Sequence, residues 1–328
     1  MVKRLSDSKK PGKDINQPAG SPPALRLVEA LTWPLAWLPP RLGLALGALG
    51  GRLAYRLWGK RRRIALANLE MIKANGSLPA DLPVAATARE CFANMGRAAW
   101  EALRFYHRGL EPFWKYCRVD EGREHLEGAL AEGRQEGRGL MLVTGHMGSW
   151  EIMCHYLPRT FGCTLNIVGR DSGKALADAL VHRLRTKGGN NFISKKGGAR
   201  EMLTVLKSGQ VLATLIDQAV IGNHPGAPVP FLGREATTNL GPYRLARRAG
   251  AAVVLVLFHR EGLYHSMKVF PPLKFDPDLA EEEALLAAAR QLNEQLGDYI
   301  KLYPDQWMWG HRRWKTRQGV RQKADSIT

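Results

Sequence analysis

From Leu126 onward, apolar runs too short to be core helices alternate with stretches of helical period, and this alternation limits the possible folds more than any other feature of the chain. The runs are Leu140–Thr144, Thr164–Val168, Val211–Ile216 and Ala252–Phe258, and helix-like stretches fall near residues 150–157, 174–187, 198–207, 238–249 and 279–303. Runs of about four to eight apolar residues bounded by turn residues read as buried strands. Strand, crossover helix and strand in succession predict the α/β class, a mostly parallel central sheet flanked by helices. Upstream, Phe92, Met95, Ala99, Leu103 and Tyr106 recur at helical spacing, which predicts two helices between Ile64 and about Arg108, on either side of a turn near Gly76–Pro83.

The N-terminal part has a different character. Residues 1–23 are rich in Lys, Pro, Gly and Ser and read as a flexible basic tail. Residues 24–63 read as a membrane-associating segment with a basic flank: Ala30–Gly51 carries one charge, Arg41, and contains Trp33 and Trp37. About 20 apolar residues are needed to cross a bilayer, but Pro34, Pro39, Pro40 and Arg41 interrupt this run. Two short apolar pieces, re-entrant or lying in the interface with tryptophans at headgroup level, are expected rather than a straight span. The alternative is a buried core helix. Lys60, Arg61, Arg62 and Arg63 follow directly and suit anionic headgroups, with the next domain on the cytoplasmic side. Of the net charge of +18, residues 1–63 hold 13 Lys/Arg against 3 Asp/Glu and residues 307–328 hold 6 against 1, so little remains for the body between. A nucleic-acid enzyme more often spreads its cations along a groove of the folded body, so this distribution favours a membrane or an acidic partner. The α/β domain is expected over 64–316, and 317–328 as a basic C-terminal tail.

Cys91, Cys117, Cys154 and Cys163 form no paired spacing, so neither a disulfide framework nor a structural zinc site is indicated. The sharpest local signal is GHMGSWE, Gly145–Glu151, directly after the strand LMLVT. On one helix His146 and Glu151 would lie about 140° apart. A strand-to-helix turn eased by Gly145 and Gly148, with Ser149 as cap, would instead aim both at one point. The carboxylate could then hold one imidazole nitrogen and leave the other to take a proton from a hydroxyl. An ordinary loop pair and a zinc site of His146, Glu151 and His155 are the competing readings; the spacing is not HExxH.

The sequence resembles the bacterial lipid A biosynthesis acyltransferases, the late lauroyl and myristoyl transferases within the glycerolipid acyltransferase superfamily. Their hallmark is His, four residues, then Asp or Glu, which His146 and Glu151 match. The resemblance continues through HRLRTKGG (182–189), LKSGQVLATLIDQA (206–219), PVPFLGREATT (228–238), GPYRLARRAGAAVVLVLFHR (241–260) and the closing YPDQWMWGHRRWK (303–315). It implies a general base at His146 assisted by Glu151, and substrate-binding roles for Asp217 after the central strand and for an arginine at Arg185 or Arg183. Either arginine could bind a phosphate or an oxyanion, or be a solvated helix charge. PVPFLGREATT reads as a loop whose Phe231 beside Arg234 suits a lipid chain next to a phosphate, and Arg234 joins the substrate-binding candidates. Trp307, Trp309 and Trp314, interleaved with His311, Arg312, Arg313 and Lys315, could stack on nucleic-acid bases, but they equally suit a membrane interface, and the ordered segments favour the membrane or acyl-carrier reading.

The expected function is therefore transfer of a fatty acyl chain from an acyl thioester, acyl carrier protein or acyl-CoA, to a hydroxyl of a phosphorylated glycolipid acceptor, a lipid A precursor. The expected setting is the bacterial inner membrane, with the catalytic domain on its cytoplasmic side. No metal, bound cofactor or nucleic acid is expected. A lysophospholipid, ornithine lipid or other glycolipid is the alternative acceptor, and a basic binding protein with a degenerate site the non-enzymatic alternative.

Overall fold

The computed structural model describes residues 23–220 and 226–314; the expected C-terminal tail, Lys315 and nearly all of the expected N-terminal tail lie outside the described residues. The chain begins with α1 (Pro23–Ala36), α2 (Pro40–Leu57), α3 (Gly59–Ala74), α4 (Val84–Arg108) and the single turn α5 (Glu111–Trp114). It continues with β1 (Cys117–Glu121), α6 (Arg123–Glu136), β2 (Leu140–Thr144), α7 (Trp150–Phe161), β3 (Leu165–Gly169), α8 (Ala175–Thr186), β4 (Asn191–Ser194), α9 (Ala199–Lys207) and β5 (Val211–Leu215). A hairpin of β6 (Gly226–Phe231) and β7 (Arg234–Asn239) follows, then α10 (Gly241–Ala249), β8 (Ala252–Glu261), β9 (Tyr264–Val269) and α11 (Glu281–Leu302).

The expected α/β class holds. Among the described residues the main sheet runs β1-β9-β8-β2-β5-β3-β4, and every pairing is parallel except the β8–β9 hairpin. Because side chains alternate across a strand, β2 sends Met141 and Val143 to one face and Leu140 and Leu142 to the other, and all four are buried. The first face packs against α3, α9, α10, α11 and the closing segment, the second against α6, α7 and the end of α4. Burial on both faces is why the central strands read as continuous apolar runs.

The stretch read as a loop at 228–238 is instead the antiparallel hairpin β6–β7, in register Phe231↔Arg234, with Leu232 at φ 49° in the turn. Its two prolines stand on a two-stranded ribbon, where a missing N–H disrupts no central ladder. The helix expected over 238–249 starts at Gly241, because β7 occupies the residues before it.

The apolar N-terminal stretch breaks at Pro39 and Pro40, as its prolines require. No helix among the described residues is long and apolar enough to cross a membrane. Helix α2 lies along α4 through Gly43, Gly47 and Gly51, four residues apart and so on one face. A Cβ at Gly51 would stand 2.0 Å from the Phe92 carbonyl oxygen, and one at Gly96 of α4 would stand 2.0 Å from that of Gly47, so only glycine permits this approach.

Candidate active site

Open α/β sheets place ligands beyond the carboxyl ends of their strands. β2 and β5 are adjacent and parallel, with Thr144 opposite Leu215, so His146 and Asp217, each two residues past its strand, arrive together. The Asp217 carboxylate takes three hydrogen bonds. His146 Nδ1 donates to Oδ1 at 2.8 Å, the His146 backbone N–H to Oδ2 at 2.9 Å, and the Trp307 indole Nε1 to Oδ2 at 2.9 Å. Asp217 is 2% exposed. Burial by itself would raise its pKa, but the neighbouring imidazole and these three donors outweigh that effect and hold it at about 2. An ionised carboxylate only accepts, so the proton of neutral His146 sits on Nδ1 and Nε2 presents its lone pair. The imidazole keeps some access to solvent, its edge meets Trp150, and the Gln218 amide nitrogen lies 3.3 Å from Nε2.

Glu151 is not the carboxylate that holds His146, contrary to the expected assistance. It accepts from Arg185 twice, from Nη2 at 2.8 Å and Nε at 3.2 Å, and from the Trp150 indole at 3.0 Å; no hydrogen bond or ion pair joins it to His146. The turn explains the divergence. Gly148 takes φ 55°, and a Cβ there would stand 2.3 Å from the Phe258 carbonyl oxygen, so the chain reverses sharply and α7 directs Glu151 toward α8. Burial opposes ionisation of Glu151, yet the Arg185 charge and hydrogen bonds lower its pKa, and the carboxylate in turn raises that of Arg185.

Ser149 stands at the N-cap position but makes no capping hydrogen bond; its hydroxyl donates to Glu101. Glu101, buried in α4, also accepts both Nη groups of Arg260 and bonds His265 Nε2 at 2.8 Å. This buried cluster fixes the turn from below, and Arg260 and His265 hold the Glu101 carboxyl well below the usual range despite its burial.

The other candidates separate. Arg183 pairs with Glu29 of α1 at 2.6 Å, so it ties α1 to α8. Arg234 is exposed on the β6–β7 hairpin, and Phe231 beside it is buried between Trp307 and Trp314, so that pair presents no lipid-binding surface. His155 stacks on Phe105 at 3.7 Å with burial lowering its pKa to about 4, and it does not converge with His146 and Glu151 as a zinc site would require. Among the described residues no group of His, Cys, Asp and Glu could hold a metal ion.

The closing segment departs most from its sequence reading. Trp307 and Trp309 are buried, as is Arg313, which donates to the Thr237 carbonyl and the Thr238 hydroxyl, both at 2.9 Å, and lies over the Phe231 ring. These side chains therefore form core rather than an interface for bases or lipid. The segment runs along the active-site turn: Gly148 N–H donates to the Gln306 carbonyl at 3.1 Å, Met308 N–H to that of His146 at 3.1 Å, and Met147 bridges Trp307. The role of Trp307 had no local signal, because its partner lies 90 residues earlier.

Residues 24–316 match the family described as bacterial lipid A biosynthesis acyltransferase. The chain belongs to this family. It is similar to the lipid A biosynthesis lauroyltransferase of Escherichia coli (strain K12), 28% identical over 299 residues, which span 88% of this chain and 90% of that protein. The palmitoleoyltransferase of the same organism is 28% identical over 87% of this chain and 89% of its own length. A phosphatidylinositol mannoside acyltransferase of Mycobacterium tuberculosis (strain ATCC 25618 / H37Rv) is 24% identical over 69% of this chain and 68% of its own length. An imidazole held in this way, with its lone pair on Nε2, can accept a proton from a hydroxyl.

Proposed function

We propose that this acyltransferase moves a fatty acyl chain from acyl carrier protein, or from acyl-CoA, to a hydroxyl of a phosphorylated glycolipid, a lipid A precursor. The observation that carries the reading is the buried Asp217 carboxylate on His146 Nδ1 at the carboxyl ends of β2 and β5. Nε2 takes the proton of the acceptor hydroxyl as its oxygen attacks the thioester carbonyl, and Asp217 stabilises the imidazolium that forms. The tetrahedral oxyanion collapses, the C–S bond breaks and the thiolate leaves, taking the proton back from Nε2. Acyl transfer is then direct, without an acyl-enzyme. To the Gln218 amide, within 3.4 Å of both ring nitrogens, we assign the role of an N–H donor that turns toward the oxyanion of the bound substrate. Glu151 keeps Arg185 beside this centre and is a positioning residue rather than the partner of the base.

The setting we infer is the cytoplasmic face of the bacterial inner membrane. Leu42, Leu46, Leu49, Leu53 and Leu57 recur every three or four residues along the outward face of α2, while Leu27, Leu31, Trp33 and Leu35 are exposed on α1 and Trp37 in the turn after it. Residues 30–69 contain no Asp or Glu, and Arg56, Lys60 and Arg63 stand exposed beside the leucines. An apolar stripe bordered by cations suits helices lying in an anionic interface.

Purified protein in detergent micelles, given labelled acyl carrier protein donor and tetra-acylated lipid A precursor, should form the penta-acylated product, and His146→Ala should lose about a hundred- to ten-thousandfold in rate. Donor hydrolysis without transfer, still dependent on His146, would keep the chemistry and move the acceptor to another glycolipid or lysophospholipid, the class to which the phosphatidylinositol mannoside relatives point.

A further inference from the structure

A phosphorylated substrate brings negative charge to the site, and none of the arginines nominated from the sequence offers it a whole guanidinium at the strand ends: Arg183 pairs with Glu29, Arg185 spends Nε and Nη2 on Glu151 and keeps only Nη1, and Arg234 stands on the β6–β7 hairpin. Two other cations stand further along the same sheet edge. The strand order β2-β5-β3-β4 sets the residues just past these strands in a row: His146, Asp217, Arg170 and Lys195. β3 and β4 pair in parallel at Gly169↔Ser194, and the Lys195 N–H extends the ladder to the Gly169 carbonyl at 2.7 Å. Arg170 and Lys195 therefore leave the sheet on neighbouring strands, about 5 Å apart at the backbone.

Among the described residues neither side chain has a hydrogen-bond or ion-pair partner. The nearby acids are engaged by neutral donors: Asp171 accepts the Ser194 hydroxyl at 2.5 Å, and Asp178 accepts the Ser172 and Gly173 N–H groups and the Ser172 hydroxyl. The surrounding protein and the charge of Arg170 both disfavour the Lys195 ammonium and lower its pKa. Arg185 adds a third donor, for its unused Nη1 lies against Gly169, where a Cβ would stand 2.8 Å from it. Two clefts of about 470 and 440 Å³ lie away from this row, at the amino ends of β2, β5 and β8, and their cations are engaged: Arg138 and Lys274 pair with Glu136 and Glu132, and Arg134 and Arg247 bond the Gly162 and Leu279 carbonyls.

We propose that Arg170 and Lys195, with Arg185 Nη1 beside them, form a subsite for a phosphate group of the substrate, on the strand-end row that carries His146 and Asp217. The subsite rests on the acyl-transfer reading and deepens it. From β2 to β4 is three strand spacings, about 15 Å, so the phosphate lies a headgroup's reach from the reacting hydroxyl. The same cations could receive a phosphate of the acceptor glycolipid or of the donor's phosphopantetheine, and kinetics separates the two.

The experiment compares wild type with Arg170→Gln, Lys195→Gln and the double variant, using the tetra-acylated precursor and the same acceptor after phosphatase treatment, with thermal unfolding as the check on folding. The double variant should raise KM for the phosphorylated acceptor about tenfold or more, as loss of charge-assisted hydrogen bonds implies, and match wild type on the dephosphorylated one. A rise in KM for the thioester donor alone would keep the subsite and assign it to the donor. Unchanged KM for both substrates in the folded double variant would overturn the proposal. Equilibrium binding of the phosphorylated precursor distinguishes the two readings: phosphate-dependent binding lost in the double variant, in a wild type that transfers nothing, would sink the activity and leave the subsite standing.

Discussion

A histidine activates a hydroxyl only while its own orientation and tautomer are fixed, and Asp217 fixes both for His146 by accepting Nδ1–H and the backbone N–H of the same residue. Asp217→Asn should keep the fold but favour the wrong tautomer, lowering kcat by about a hundredfold or more in the transfer assay. Trp307→Phe retains most of the buried ring and removes one donor to Oδ2; kcat should fall by about tenfold to a hundredfold, because hydrogen bonds to charged groups contribute about 1.5–3 kcal/mol. Asp217 also predicts a pH dependence of stability. Its folded pKa of about 2 lies below the ordinary 3.8, so its contribution is present above pH 4 and is lost as the pH falls through 2. The contribution is about 2 kcal/mol. Denaturant unfolding between pH 6 and 2 should show that acid limb in wild type and a flatter one in Asp217→Asn.

Among the elements, those buried on both sheet faces were legible in advance. β2, β3, β5 and β8 each place apolar side chains in both layers, and their unbroken runs mark them. β1 and β9 were not legible: Arg118, Asp120 and Glu121 of β1 are not buried, and a short polar run resembles a loop. The β6–β7 hairpin was hidden by its prolines, and the burial of the tryptophan-rich segment by its mixture of rings and cations, which locally resembles a surface motif. The site was legible by half. Strand, glycine turn and His146 were readable together, but which carboxylate the imidazole meets depends on β5 lying beside β2 and on the backbone path at Gly148, and no spacing within the motif encodes either. The glycine seam of α2 against α4 is similarly a property of two elements. Gly96→Leu should force them apart and lower stability by about 1–3 kcal/mol or more, read as a fall in Tm.

In the whole molecule, the N-terminal helices join the proposed membrane face to the catalytic edge. α1 and α2 pack on α4, Glu29 of α1 holds Arg183 of α8, and two residues on Arg185 holds Glu151. The outward leucine stripe predicts that Leu49→Glu with Leu53→Glu weakens flotation with anionic vesicles while leaving Tm nearly unchanged, since these side chains are exposed in the folded chain. Wild-type binding should also weaken as salt rises, because Arg56, Lys60 and Arg63 contribute through screened charge. The central claim is that His146, held by Asp217, activates the acceptor hydroxyl for direct acyl transfer. Its most direct test is single-turnover transfer of a labelled acyl chain from acyl carrier protein to the tetra-acylated lipid A precursor, with wild type, His146→Ala and Asp217→Asn compared at equal enzyme concentration. The account predicts rapid product formation in wild type and losses of about a hundredfold or more in both variants; transfer at the wild-type rate by either folded variant would contradict it.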